Sequence, residues 1–337
     1  SRRKNLINNL TMNELFKNAL ERADQSCPPI WMMRQAGRYQ PSYMEMKEQF
    51  TFEQMCKLPQ VAAKVAMLPI DEFDFDVAIL FSDILYHIEG LGLPLKFDPG
   101  PKFEWHLTEE NYKDHSDIGK AMKHLSFQQS AIKATREALS PKKSLVGFVG
   151  GPWTLLNYAL GENKNKVSDD FKFKYLKDVI IPLLQSSIRK QKEAGADAVM
   201  VFDSGLANIH KKFFDEKYIP MLKLIADIGN TAYYARTLPY NSLNKVIDIG
   251  FAGVGIDSTV DLNKTLKKVE HGFVQGNFDE TLLLQTSETI LKYEIQKWLD
   301  TIDDPRGWVC GLGHGIIKET PTRNVKLFVD MVRKHFS

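Results

Sequence analysis

The sequence predicts an α/β protein, built as a single (β/α)₈ barrel domain over residues 1–337. Short apolar, β-prone runs alternate with helical patterns, which is typical of parallel strands joined by helical crossovers. About eight such units occur in 337 residues, a length that suits one large barrel. An open doubly wound sheet is the rival, but no G-x-G-x-x-G loop follows the first run.

The predicted strands and helices follow from the spacing of apolar residues along the chain. Residues 1–10 are basic and are expected to form a disordered tail. We predict strands over 29–34, 76–81, 144–149, 197–202, 231–235, 252–257, 271–275 and 307–311. We predict helices over 117–139, 168–194, 207–229, 279–302 and 322–335.

Composition excludes several classes of protein. The 44 basic and 42 acidic side chains leave a net charge of +2, which does not favour nucleic acid as a partner. No apolar stretch approaches the roughly 18 residues that span a bilayer. The scattered Cys27, Cys56 and Cys310 argue against a disulfide framework and favour a reducing compartment. We expect a cytoplasmic location, with a plastid as the alternative if a targeting segment has been removed.

The segment Trp31–Tyr39, WMMRQAGRY, is the most informative part of the chain. It places Arg34 and Arg38 four residues apart, directly after an apolar run. Guanidinium groups bind carboxylates through paired hydrogen bonds, so two of them on one short turn predict a receptor for an anion with several carboxylates. The alternative is a pair of surface arginines that face water.

Polar residues follow the other predicted strands, and in a barrel these strand ends meet at one face. Asp83 follows an apolar run, so its carboxylate is expected to be partly desolvated and to need a partner. It could stabilise positive charge in a ligand, or cap the next helix. His314 lies between glycines in GLGHG and could bond a carboxylate or move a proton, although a structural role is equally open.

Three further residues are candidates for contacts with a substrate. Tyr158 is expected on the second turn of a helix that starts at Pro152, where it could donate to a carboxylate or simply cap the core. Ser204 lacks a G-x-S-x-G context, so we expect a hydroxyl donor rather than a nucleophile. Phe202 could stack on a ring. No metal site is predicted, because Cys310 and His314 lack companion ligands at useful spacing.

Taken together, these motifs resemble the uroporphyrinogen decarboxylase family. The matching segments run in order along the chain: WMMRQAGRY at 31–39, AILFSDIL at 78–85, GFVGGPWTLLNY at 147–158, FDS at 202–204, GID at 255–257, VQGN at 274–277 and GLGHGI at 311–316.

The resemblance implies a homodimeric barrel that needs no cofactor. It implies conversion of the four acetates of uroporphyrinogen III to methyl groups, with coproporphyrinogen III as product. Asp83 would accept the pyrrole N–H groups and stabilise a cationic intermediate. Arg34 and Arg38 would hold carboxylates, and Arg34 is also implied as a proton donor, despite the very high pKa of arginine. Phe81 and Phe202 would contact the substrate rings; the implied polar wall around the substrate carboxylates is Tyr158, Ser204 and His314.

Some positions depart from the family pattern. Lys47 stands where many members have an arginine near the entrance, which keeps the charge but loses the paired geometry. Ser258 replaces a common tryptophan, and Gly205–Ala207 alters the stretch after Ser204. Two other functions stay open: a zinc- and corrinoid-type methyltransferase of the same barrel superfamily, and a tetrapyrrole-binding protein without catalysis.

Overall fold

The structure is a computed structural model that describes residues 12–337. The predicted basic tail therefore lies outside the described residues. The strands are β1 Val77–Ile79, β2 Leu95–Phe97, β3 Pro101–Phe103, β4 Ser144–Gly150, β5 Ala198–Phe202, β6 Thr231–Tyr234, β7 Gly253–Gly255, β8 Phe273–Phe278 and β9 Trp308–Leu312. Seven parallel strands form one curled sheet in the order β1-β4-β5-β6-β7-β8-β9, and β2 pairs with β3 in a separate antiparallel hairpin.

The helices cover the outside of this sheet. Burial on both faces explains why the strands read as continuous apolar runs: every residue of β4 and of β8 is buried. The α-helices are α1 Glu14–Glu21, α2 Pro41–Gln49, α3 Phe52–Lys57, α4 Pro59–Phe73, α5 Tyr86–Gly90, α6 Ile118–His124, α7 Ser126–Ala138, α8 Pro152–Leu160, α9 Asp169–Tyr175, α10 Ile181–Ala194, α11 Lys211–Phe213, α12 Ile219–Ala226, α13 Leu243–Asp248, α14 Leu262–Lys268, α15 Glu288–Leu299 and α16 Thr322–His335.

Local sequence signals account for several helix starts. Proline occupies the first turn of α2, α4 and α8, where its missing N–H costs nothing. Thr51 and Gln54 form a capping box at the start of α3. The Ser287 hydroxyl accepts a hydrogen bond from the Ile290 N–H at 3.4 Å, so α15 begins where the sequence placed a capping residue.

Two predicted helices are interrupted by turns, whereas those predicted over 168–194 and 207–229 continue through the π-helical segments Leu176–Ile180 and Phe214–Tyr218. The stretch predicted as a helix over 117–139 breaks at Leu125 into α6 and α7. The stretch over 279–302 starts as a short 3₁₀ turn, Glu280–Leu284, and becomes α-helical only at Glu288. The spacing of apolar residues does not reveal a local turn of this kind, because the helical segments before and after the turn still bury the same side.

The prediction of a full strand over 29–34 was wrong in extent. Only Ile30 forms a β-bridge, parallel to Cys310. The neighbouring backbone nevertheless contacts both edges of the sheet. The Cys310 N–H donates to the Pro29 carbonyl at 2.8 Å, and the Asp76 N–H donates to the Ile30 carbonyl at 2.9 Å. The chain leaves this extended path at Arg34, whose φ of +59° is left-handed and incompatible with a strand.

None of the helices within residues 12–337 has both the length and the apolar character needed to cross a membrane.

Candidate active site at the carboxyl end of the sheet

The turn that carries the two arginines is held by one buried glutamine. Gln35 accepts a hydrogen bond from the Met32 N–H at 3.0 Å and donates to the Val77 carbonyl at 2.9 Å. Its own carbonyl accepts the Tyr39 hydroxyl at 2.5 Å. Gln35 is anchored in the interior, and the side chains of Arg34 and Arg38 on either side of it are exposed. Neither Arg34 nor Arg38 makes a hydrogen bond or ion pair with any residue in 12–337, so their donors are unused.

The Arg34 side chain lies against the backbone of the loop that follows β9, at Gly315. A Cβ atom added at Gly315 would stand only 2.6 Å from Arg34 Cδ, so the flexible Arg34 side chain would have to move. Glycine at position 315 therefore leaves room for Arg34 in its observed position. The contact brings the first and last motifs of the chain together.

Asp83 lies in the turn that leads into α5, with one carboxylate oxygen bonded to the backbone. Its Oδ1 accepts the Leu85 N–H at 2.8 Å, whereas the first turn of α5 itself has no side-chain cap. Its Oδ2 has no hydrogen-bond partner among the described residues and is left for a ligand. Burial raises the pKa of Asp83 above its ordinary value, while the Leu85 N–H and the nearby Arg34 charge oppose that rise.

His314 is arranged as a neutral hydrogen-bond donor. Its Nδ1 accepts the Gly315 N–H at 2.7 Å, which places the ring proton of a neutral imidazole on Nε2. Burial first, and then the charges of Arg236 and Arg34, lower the pKa of His314 to about 4. The imidazole is therefore uncharged near neutral pH. It can donate to a carboxylate without adding positive charge.

Aromatic rings connect β4, β5, β6 and the His314 loop. The half-buried Phe202 packs between Phe148, with ring centroids 5.7 Å apart, and Tyr234, 6.2 Å away. The Tyr234 ring lies edge-on to His314 at 6.2 Å, and its hydroxyl donates to the Gly313 carbonyl at 2.7 Å. The flat partly exposed face of Phe202 suits contact with a ring of a substrate.

Sequence reasoning missed the role of Asp203, which is fully buried beside the site. Its carboxylate accepts hydrogen bonds from the Tyr218 hydroxyl, the Tyr233 hydroxyl at 2.5 Å and the Thr154 hydroxyl at 2.8 Å. Thr154 Oγ1 in turn accepts the Gly205 N–H at 2.9 Å. The network ties the start of α8 to the loop after β5. Its sequence signal was present, since an acid directly after a buried strand must be paired.

That network positions two of the predicted residues. Tyr158 stands on the second turn of α8, as expected from Pro152, and 44% of it is exposed. Ser204 is also exposed, between Asp203 and Gly205. Both hydroxyls are available, because neither forms a hydrogen bond with another described residue.

The two remaining candidates are less closely joined to the others. Lys47 lies exposed in the last turn of α2, and it forms no hydrogen bond or ion pair within the described chain. Phe81 is half-buried and packs against Tyr43 and Phe52, with both pairs of ring centroids 5.8 Å apart. Phe81 thus contributes to the packing beneath the Asp83 turn.

Metal ligands are not grouped in this part of the molecule. Among residues 12–337, no three His, Cys, Asp or Glu side chains are close enough together to hold an ion. Cys56 and Cys310 are both buried.

Comparison with known proteins identifies the family. The uroporphyrinogen decarboxylase (URO-D) family model matches residues 11–335. The uroporphyrinogen decarboxylase of Anaeromyxobacter dehalogenans (strain 2CP-C) is 33% identical over 341 residues, which cover 95% of this chain and 98% of that protein. The enzyme of the same name from Orientia tsutsugamushi (strain Ikeda) is also 33% identical, over 340 residues, with the same coverage. The chain belongs to the uroporphyrinogen decarboxylase family.

Solved structures of low sequence identity share the fold. A methyltransferase from Methanosarcina mazei superposes with a TM-score of 0.80 at 19% identity, covering 97% of this chain and all of that one. A B12-independent methionine synthase from Shewanella sp. W3-18-1 gives a TM-score of 0.55 at 12% identity, over 84% of this chain and 90% of that one. At these identities the likeness shows the architecture alone. The family membership therefore rests on the sequence comparisons.

Proposed function

We propose that this protein is an enzyme that removes CO₂ from the four acetate side chains of uroporphyrinogen III, giving coproporphyrinogen III. Family membership across residues 11–335 supports the reaction class. The observation that carries the proposal is the placement of Asp83, a partly desolvated carboxylate with one oxygen unused, within the electrostatic reach of Arg34.

The chemistry requires a sink for electrons. A proton added to the pyrrole α-carbon makes the ring cationic, and breaking the bond to the carboxylate then returns its electron pair to the ring. A second proton converts the resulting methylene to a methyl group as the first proton leaves, so each cycle consumes one proton and releases one CO₂. Asp83 Oδ2 would accept pyrrole N–H groups and stabilise the cation in a low-dielectric site.

The remaining candidates would bind the eight carboxylates and the macrocycle. Arg34 and Arg38 have unused guanidinium donors that suit carboxylate oxygens. The His314 Nε2–H and the hydroxyls of Tyr158 and Ser204 would complete the polar wall. Phe202 and Phe81 would contact the rings, and Lys47 would attract the anion at the entrance. We also infer that no metal or organic cofactor takes part.

Four further parts of the proposal concern architecture, assembly and location. We infer that residues 29–31 close the curled sheet into a complete barrel, supported by their hydrogen bonds to both edges, and that residues 1–337 form one domain. We infer a homodimer, for which sedimentation should give the mass of two chains. We infer a cytosolic location, because the relatives named above come from bacteria, which lack plastids.

The deciding experiment is anaerobic turnover of uroporphyrinogen III by chelator-treated protein, with products separated by carboxylate number. Hepta- through tetra-carboxylate porphyrinogens should appear in succession. If the protein binds the substrate tightly but yields no product, the binding-protein alternative replaces this proposal. If activity requires added zinc, the metal-free mechanism is wrong.

A further inference from the structure

Arg236 is a third exposed arginine at the carboxyl end of the sheet, and no sequence motif pointed to it. It follows β6 by two residues. The end of β6 is held against the His314 loop by the bond from Tyr234 to the Gly313 carbonyl. The positive charges of Arg236 and Arg34 each act to lower the pKa of His314 and of Tyr234. Arg236 thus shares the side of the site on which Arg34 and His314 lie.

Arg236 forms a long ion pair with one acidic residue, Glu280. The guanidinium Nη2 lies 3.5 Å from Glu280 Oε1, longer than the roughly 2.7–2.9 Å of a strong charge-assisted hydrogen bond. The Arg236 side chain is 57% exposed, whereas that of Glu280 is only 8% exposed. A guanidinium has five N–H donors, and within residues 12–337 Arg236 has no other ion pair or hydrogen bond. Most of its donors therefore face outward.

Glu280 is unusual for an acid near the surface. It lies in the 3₁₀ turn after β8, and its Oε2 is buried without a hydrogen-bond partner among the described residues. A buried carboxylate with an unsatisfied oxygen lowers the stability of the fold. Pairing with an exposed arginine would not by itself offset that loss. Glu280 can instead restrain the guanidinium at a chosen place while leaving its outer donors free.

We propose that Arg236 binds a substrate carboxylate at the rim of the active site, tethered by Glu280. The inference rests on the proposed function, because it assigns Arg236 to the same poly-carboxylate substrate. Arg34 and Arg38 lie in the turn that follows the β-bridge at Ile30, whereas Arg236 lies in the loop after β6. The macrocycle would thus be held by cations on separate loops, which constrains its orientation as well as its affinity.

The experiment compares Arg236→Gln with a matched loss of charge elsewhere. The matched control is Arg306→Gln, because Arg306 lies just before β9, at the amino end of the sheet, and pairs with Asp24. Three quantities are measured. They are the KM and kcat for uroporphyrinogen III and the Kd, by fluorescence, for uroporphyrin, the oxidised macrocycle with the same eight carboxylates. For Arg236→Gln we expect KM and Kd to rise about tenfold and kcat to stay within about twofold. Arg306→Gln should change none of them.

A double variant separates binding from mere neutralisation of Glu280. If Arg236 serves only to balance the Glu280 charge, Arg236→Gln combined with Glu280→Gln should regain the wild-type Kd, and the proposal is overturned. If Arg236 binds substrate, the double variant stays weak and Arg236→Lys recovers part of the affinity. Wild-type values for Arg236→Gln alone would also overturn it. Absence of turnover and of uroporphyrin binding by the wild-type protein would instead count against the proposed function itself.

Discussion

The two ends of the parallel sheet use the same residue in opposite ways. At the amino end, three arginines use their N–H donors in hydrogen bonds within the protein. Arg22 donates to the Leu266 carbonyl at 2.8 Å and to the Gly272 carbonyl at 3.2 Å. Arg333 donates to the Asp74 carbonyl at 2.7 Å. Arg136 contacts the Gly195 and Lys143 carbonyls and forms an ion pair with Asp197.

At the carboxyl end, the guanidinium groups are left available. Arg34 and Arg38 have no hydrogen bond within residues 12–337, and Arg236 has one long ion pair. The difference shows how one sheet separates folding from function. The three arginines at the amino end fasten helices and loops to the strands, whereas under the proposed function those at the carboxyl end would bind a ligand. Substitutions at the two ends should therefore affect different quantities.

The largest effect should follow Asp83→Asn. Loss of the charge removes the stabilisation of the cationic ring, and kcat should fall roughly 10³-fold, as for other charge-stabilising groups. The asparagine Oδ1 can still accept the Leu85 N–H, so the midpoint of thermal unfolding should barely move. Steady-state kinetics and calorimetry measure the two quantities. Activity near the wild-type level would refute the assigned role.

Gly315→Ala should be the next most damaging change. The new Cβ would stand 2.6 Å from Arg34 Cδ and push that side chain aside. Because small displacements of positioning groups are costly, we expect kcat/KM to fall roughly 100-fold. Stability should change little, since a flexible exposed side chain can move. Gly119→Ala is the matched control: the nearest atom to its added Cβ, Asp117 Oδ1, is 3.4 Å away, and it should behave as wild type.

A pair of arginine variants tests the comparison directly. Arg22→Ala should lower the free energy of unfolding by about 2 kcal/mol, because two carbonyls lose charge-assisted hydrogen bonds, and should leave KM unchanged. Arg38→Ala should weaken substrate binding about tenfold at low salt and leave the free energy of unfolding unchanged. Denaturant titration should show a loss of stability for Arg22→Ala alone, and binding measurements should show a loss of affinity for Arg38→Ala alone. Equal losses of stability in both variants would contradict the division between the two ends.

The smallest effect concerns the protonation of His314. Its resonance should titrate with a pKa of about 4 in the free protein, and Arg236→Gln should raise that value by removing a nearby positive charge. Because the folded value lies below the ordinary 6.5, the unfolded chain takes up the proton first. This residue therefore lowers the free energy of unfolding as the pH falls from about 6.5 to 4. A titration near 6.5 by NMR would show that the burial argument is wrong.

Much of the fold was predictable, because strands that are buried on both faces appear in the sequence as continuous apolar runs. Seven of the eight predicted strands form, at nearly the predicted bounds. The segment 29–34 was misjudged because Pro29–Trp31 uses backbone groups like a strand, but the next residues turn to present Arg34. The α6/α7 break at Leu125 was also invisible, since helical periodicity persists across it.

The candidate site was predictable where a motif follows a strand. Arg34, Asp83 and His314 were selected in this way, and in the structure the Arg34 charge influences the pKa of both Asp83 and His314, although their roles stay predictions. Arg236 and Glu280 were missed, because neither belongs to a recognisable motif and their pairing joins residues 44 positions apart. The buried partners of Asp203 were missed for the same reason.

Periodicity and local spacing are properties of the chain, so they were sufficient to identify the α/β class, the family and the arginine, aspartate and histidine motifs. The donors that remain free became known only from the fold. Whether a guanidinium donates to a carbonyl, as in Arg22, or has no partner among the described residues, as in Arg38, depends on what the fold places within about 3 Å of it. That distance is set by packing between segments far apart in the chain, and no local pattern encodes it.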